Sequence, residues 1–171
     1  MSVLVWQQAR ADAESVARGY DRDGVFPRDV KTIAEMIGLE VIIAPLTEDT
    51  SGLIIKRNKY SNPQIYVDST ELEVRQRFTI AHEIGHYFER MNADDSEYSF
   101  VDRRGSGQYD LHEFYADEFA GTLLMPQEEI QRLREAGKTA VEMAAHFGVS
   151  VAAMNTRLKR IDIADQTRND Q

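Results

Sequence analysis

The sequence predicts an α+β fold, a small three-stranded antiparallel sheet packed on a mainly helical domain. Two observations carry this expectation. Three short stretches rich in β-branched residues follow one another between residues 39 and 70, and the chain on either side places apolar residues at helical spacing. A third observation concerns what holds the fold. The chain has no cysteine, which excludes a disulfide scaffold, so its 171 residues, 42% of them hydrophobic, must build an ordinary core.

The elements follow in order. Ser2 to Tyr20 reads as a helix, with Val5, Trp6, Ala9, Ala13, Val16 and Ala17 at helical spacing. After the loop YDRDGVFPRD, Pro27 starts a second helix that runs through Ile37 and ends at Gly38. The strands are LEVIIAPL (39–46), GLIIKRN (52–58) and QIYVDST (64–70), separated by turn-forming residues such as Ser51-Gly52 and Asn62-Pro63. The edge of such a sheet can pair with an extended peptide. From about Glu71 the pattern is helical again, through Arg90. The polar segment NADDSEYSFVDRRGSGQYD (92–110) reads as a loop. Leu111 to Met125 is a further helix, and PQEEIQRLREAG a short one, with Pro126 near its start and Gly137 at its end. Thr139 to Ile161 divides into two helices at Gly148-Val149-Ser150, and TRNDQ reads as a frayed tail.

Composition narrows the function classes. The formal net charge of −9 repels phosphate backbones, so no direct nucleic-acid partner is expected. The N-terminal apolar run, Val3 to Trp6, is too short for a signal peptide or a membrane span, so a cytoplasmic protein with no membrane partner is expected. Without thiolates, any metal ligands must be His, Asp or Glu.

The stretch FTIAHEIGHYF (78–88) supplies such ligands. His82 and His86 stand four residues apart, so on a helix their imidazoles point the same way and can share one ion. Glu83 lies about 100° round the helix. It is poorly placed to ligate, but it can reach a water on the ion and carry its proton. This is the division of labour of a zinc hydrolase, in which the metal lowers the pKa of water to about 7. Apolar neighbours nearly all round imply a buried helix, where unliganded histidines are costly. Gly85, a poor helix residue, allows another element to pack closely. A third ligand is required from elsewhere. In LHEFYADEFAGTLLMP, Glu113, Ala116, Asp117 and Ala120 share a face that is otherwise small. Glu113 is then the third ligand, and Asp117, one turn on, accepts a hydrogen bond from a ligating histidine. His112 and Glu118 are rivals rotated away from that face.

The pairing of RQRFTIAHEIGHYF with HEFYADEFAGTLLMP resembles the ImmA/IrrE family of metallo-endopeptidases. The matching residues are Arg75, Phe78, Thr79, Ala81, His82, Glu83, Gly85 and His86, then Glu113, Ala116, Phe119, Ala120, Leu123, Leu124, Met125 and Pro126. The resemblance spans roughly residues 30–160. It implies a zincin-like domain similar to thermolysin-like peptidases in helix arrangement. His82, His86 and Glu113 would ligate one Zn²⁺ per chain, with Glu83 as general acid and base, and Phe119, Leu123, Leu124 and Met125 would be core. The same donors also suit Mn²⁺ or Fe²⁺. Many members cleave a helix-turn-helix (XRE-type) repressor or antitoxin encoded beside them and so relieve repression under stress. The expected partner is therefore a protein substrate of that kind. Some members carry a C-terminal sensory domain for which this chain has no room, so regulation would lie in a partner or in metal supply.

The expected organisation is a zincin-like domain over residues 1–137 and a C-terminal helical segment, 138–171, integral to it. That segment looks like a helix-turn-helix, with Asn155, Arg157, Lys159 and Arg160 on its second helix. The alternative function is accordingly a DNA-binding regulator, or a toxin–antitoxin component, with a structural metal. His146 is read as structural. Tyr98, Tyr109 and Tyr115 remain alternatives for stabilising an oxyanion.

Overall fold

A computed structural model describes residues 4–20, 24–47, 49–58, 60–92, 98–103 and 111–169. These form seven helices and one mixed sheet: α1 (Val5–Tyr20), α2 (Val30–Met36), β1 (Glu40–Ala44), β2 (Thr50–Lys56), β3 (Gln64–Asp68), α3 (Glu73–Asn92), β4 (Tyr98–Arg103), α4 (Leu111–Leu124), α5 (Gln127–Glu135), α6 (Ala140–Phe147) and α7 (Val151–Asn169). The α+β class stands.

The sheet corrects the expectation in two ways. Its order is β1-β3-β2-β4, and β1 and β3 run parallel while the other pairs are antiparallel. After β1 the chain crosses the width of a strand before β2 begins, and β3 returns into the gap. Ile65 and Val67 of β3 have no solvent exposure, which suits the strand with a neighbour on each side. The fourth strand lies in the segment expected to be a loop. Tyr98-Ser99-Phe100-Val101 is a short β-prone run whose charged flanks hide it, and it pairs with β2, Phe100 opposite Ile54. Residues 93–97 and 104–110 of that segment lie outside the described residues.

Two helix ends also differ from the reading. α2 begins at Val30, not Pro27, because the Asp29 carboxylate accepts the Thr32 backbone N–H at 3.1 Å and caps the helix there. α7 continues to Asn169, through most of the expected tail.

The site depends on how α3 is enclosed. α4 packs against one side of it, and a Cβ built on Gly85 would lie 2.8 Å from Ala116 Cα and 3.1 Å from its carbonyl oxygen. The two helix backbones therefore touch, which a larger residue at 85 would prevent. Ala81, Ala116 and Ala120 are likewise fully buried. On another side β2 presses on α3, where a Cβ on Gly52 would lie 2.3 Å from Thr79 Cγ2. α1 packs on α4 through the buried stripe Ala9, Ala13 and Ala17. Phe119, Leu123, Leu124 and Met125 lie in the core, each at most 1% exposed.

The C-terminal helices are tied back by arginines. Arg77 Nε donates to the Gly148 carbonyl at 3.1 Å, at the left-handed turn between α6 and α7. Arg157 Nε donates to the Met125 carbonyl at 3.2 Å, and its Nη1 to Glu118 at 2.8 Å. Arg10 of α1 reaches the same Glu118 oxygen at 2.6 Å. Among the described residues, no helix is long and apolar enough to cross a membrane.

Replacing Gly85 by alanine tests the helix contact. In an open helix the change stabilises by up to about 1 kcal/mol. Here the added methyl meets backbone, and the expected result is a loss of about 1–3 kcal/mol in unfolding free energy, measured by urea denaturation. An unchanged or raised midpoint would show that α3 and α4 are not in backbone contact.

Candidate metal centre

α3 presents His82 and His86 one turn apart, both almost fully buried, with their rings edge to face and centroids 4.7 Å apart. α4 brings Glu113 opposite them. The two Nε2 atoms are 3.1 Å apart, and one carboxylate oxygen of Glu113 lies 3.3 Å from His82 Nε2, the other 3.4 Å from His86 Nε2. A tetrahedral zinc site with bonds of about 2.0–2.1 Å has ligand atoms about 3.3–3.4 Å from one another. The two Glu113 contacts use different oxygens, and with one ligand atom taken from each residue the three atoms lie within 4.8 Å of one another, a group that could hold a metal.

The next layer fixes the donors. His82 Nδ1 is 3.1 Å from Asp117 Oδ1, so Nδ1–H donates to the carboxylate and Nε2 faces Glu113 and His86. Arg160 of α7 stands behind, its Nη2 3.7 Å from Asp117 Oδ2. Glu89 Oε2 lies 3.9 Å from His86 Nδ1, while its other oxygen accepts from His112 Nδ1 at 2.5 Å. Glu83 has no solvent exposure and faces β2, its Oε1 3.4 Å from where a Cβ on Gly52 would stand.

The electrostatics follow from this packing. Burial disfavours the His82 imidazolium, but Asp117, Glu113 and the charge of Glu83 outweigh it and push the pKa up to about 10. His86 shifts up as well: burial opposes, Glu113 and Glu89 prevail, and the charge of His82 counts against it. Hydrogen bonds from His82 and His86 hold the Glu113 carboxyl well below its usual range. Burial works against ionised Glu89, yet its bonds to His86 and His112 hold it low too. Without a metal, the cluster retains a proton where an ion would sit.

The structure also answers the rivals. His112 is half exposed and engaged with Glu89, away from the donor group. Glu118 is buried among Arg10, Arg157 and Arg160. The Tyr115 hydroxyl donates to Asp12 of α1. Tyr109 and the Tyr98 side chain lie outside the described residues. His146 pairs with Glu129 at 2.8 Å and packs on Phe26 and Phe147. On the helix-turn-helix-like segment, Arg157 is buried and Arg160 is turned to Glu118 and Asp117, which leaves Asn155 and Lys159 exposed. Sequence reasoning missed Glu89 and Arg160. Glu89 had a signal, three residues after His86 on the same helix face. Arg160 had none, because only the packing of α7 brings it to Asp117.

A model of the Peptidase_M78 family, described as an IrrE N-terminal-like domain, matches residues 34–159. No curated protein matches the sequence. Seven chains of solved structure match. One is a Mycobacterium tuberculosis transcriptional regulator, 16% identical, with a TM-score of 0.59 over 90% of this chain and 46% of that one. At that identity the likeness shows the fold alone, and the chain spans less than half the length of that regulator.

A metal held by this group would compete with the proton for His82, which sets a pH dependence. Its raised pKa means that the stability it lends the metal-free chain is full below about 6.5 and is lost as pH rises towards about 10. Metal affinity runs the opposite way and should rise about tenfold per pH unit across that window. Melting of the chelated chain and competition against a chromophoric chelator, both as functions of pH, measure the two trends. Metal affinity independent of pH would contradict this account.

Proposed function

The chain belongs to the Peptidase_M78 family, and on that premise we propose that it is a zinc-dependent endopeptidase that hydrolyses a peptide bond in a specific protein. The observation that carries the reading is the convergence of both imidazoles and the Glu113 carboxylate, one ligand atom from each lying within 4.8 Å of the others. His82, His86 and Glu113 would hold the ion, whose chemistry when bound is Lewis-acid activation of water and of the scissile carbonyl.

The remaining roles fall to the chain's own side chains. Glu83, beside His82 but directed at β2, takes a proton from water and returns it to the leaving amine. Its complete burial beneath Gly52 keeps its carboxylate out of bulk solvent. Asp117 fixes the His82 tautomer. Glu89 places a carboxylate oxygen 3.9 Å from His86 Nδ1, within ion-pair range.

The substrate we propose is a helix-turn-helix repressor or antitoxin, acted on in the cytoplasm, with residues 1–137 and 138–171 working as one domain. Family membership supports a protein substrate. The alternative, a DNA-binding regulator with a structural metal, is disfavoured by the inward engagement of Arg157 and Arg160, since a recognition helix needs its basic residues outside.

Metal analysis of purified protein should find about one Zn²⁺ per chain, and far less after His82→Ala or Glu113→Ala. Glu83→Gln should keep the metal and lose about 10²–10⁴-fold in cleavage of a helix-turn-helix repressor or antitoxin substrate. Cleavage that survives in Glu83→Gln would refute the assigned role of Glu83. A wild-type, metal-loaded chain that leaves such repressors intact but shifts operator DNA at physiological salt would favour the regulator.

A further inference from the structure

Gly52 lies on the face of β2 that meets α3, and the approach there is closer still than that of α4. A Cβ at position 52 would fall 2.3 Å from Thr79 Cγ2, well inside the 3.4–4 Å of ordinary contact, so the Thr79 methyl fills the place of a side chain at 52. The same point is 3.2 Å from the Tyr66 carbonyl oxygen of β3 and 3.4 Å from Glu83 Oε1. Thr79 stands one turn before Glu83, so both meet β2 from one side of α3. Thr79 is 1% exposed, and among the described residues its hydroxyl has no hydrogen-bond partner. Its methyl, not its hydroxyl, is what engages the strand.

Neither side of this contact can withdraw. At about 100° per residue, Gly85 lies about 120° round α3 from Thr79 and about 160° from Glu83, and there the backbone of α4 abuts the helix. α3 is thus held between two contacts that each depend on a missing side chain. β2 is fixed as well, since Gly52 stands opposite Val67 of β3 and opposite Asp102 of β4. Ser51 is an extra residue in the ladder with β4, a bulge of the kind that re-aims the residues beside it. A methyl added at 52 must therefore move the Thr79 side chain, α3 or β2 by about 1 Å to reach ordinary contact.

We infer that Gly52 and Thr79 are a positioning pair for Glu83. The bare backbone of β2 receives the Thr79 methyl, and this fit sets where the Glu83 carboxylate stands between the strand and the two histidines. Neither residue takes part in proton transfer. A side chain at 52 displaces Thr79 or the strand, and Glu83 Oε1, already in van der Waals contact with that point, moves with them. A displacement of about 1 Å in a reacting group costs about 10²-fold in rate. His82 and His86, which face Glu113 of α4, stay in place. The catalytic consequence rests on the role proposed above for Glu83. The fit between α3 and β2 does not.

The test is a double-substitution cycle on the full chain, with the repressor cleaved in the Glu83→Gln comparison as substrate. Gly52→Ala should lower the urea midpoint of the chelated chain and still take up about one Zn²⁺. Its kcat should fall about 10²-fold with KM unchanged. Thr79→Ser removes the methyl that the new Cβ meets. In the Gly52→Ala background it should restore the midpoint and bring kcat to within about tenfold of wild type, while Thr79→Val, which keeps a methyl there, should restore neither. The Co²⁺-loaded chain supplies a readout without substrate: the visible absorption of Gly52→Ala should shift as that of Glu83→Gln does, and return in the Gly52→Ala/Thr79→Ser variant. Where Gly52→Ala alone does not fold, the double variant decides, since a folded and active one supports the pair and an unfolded or inactive one overturns it. Gly52→Ala that lowers the midpoint but keeps the wild-type kcat and cobalt spectrum overturns it too, because the contact would then serve packing alone. So does equal rescue by serine and valine. A chain that shows the cycle in midpoint and cobalt spectrum but cleaves no repressor leaves the pair standing and rejects the peptidase reading instead.

Discussion

The arrangement turns on backbone contact between α3 and α4. Where Gly85 meets Ala116, the missing side chain lets the two helices approach until a methyl group could not fit between them. That approach brings one Glu113 carboxylate across two imidazoles, one oxygen 3.3 Å from His82 Nε2 and the other 3.4 Å from His86 Nε2. A wider crossing angle or a bulkier residue would leave two histidines on one helix and an acid on another. The apolar flanks of the histidines serve the same contact, because they bury α3 between α4 and the sheet.

Burial in turn dictates the charge pattern. Two imidazoles in a dry environment resist protonation, and the surrounding carboxylates reverse that preference. Each carboxylate is itself held from outside, Asp117 near Arg160 and Glu89 by His112. α4 divides its acids between two purposes. Glu113 and Asp117 face the histidines, while Glu118, one position further round the helix, binds Arg10 and Arg157 and so joins α1 and α7 to the same helix. Removing Glu118 alone would leave buried guanidiniums without their carboxylate, so this junction is bound up with the integrity of the whole molecule.

Much of this was legible along the chain, for a local reason. Helical periodicity marks α1, α3 and α4 because one face of each is buried. The four-residue interval between His82 and His86 is a statement about a single helix, and the small face around Glu113 is another. β4 was not legible, since a short run inside a charged segment reads as a strand only once β2 offers it a partner. The parallel pairing of β1 with β3 was hidden likewise, because order in a sheet belongs to the crossing of the chain and not to any strand.

By itself, then, the sequence determined the helices, the α+β class, and the donor types, all of which follow from spacing within one segment and from the absence of cysteine. The tertiary structure alone decided the distances between donors, the mixed four-stranded sheet, the supporting place of Arg160, and the fit of Thr79 beneath Gly52. Those depend on how elements far apart in the chain meet, and that is set by which side chains, or which missing side chain at Gly85, allow two backbones to touch.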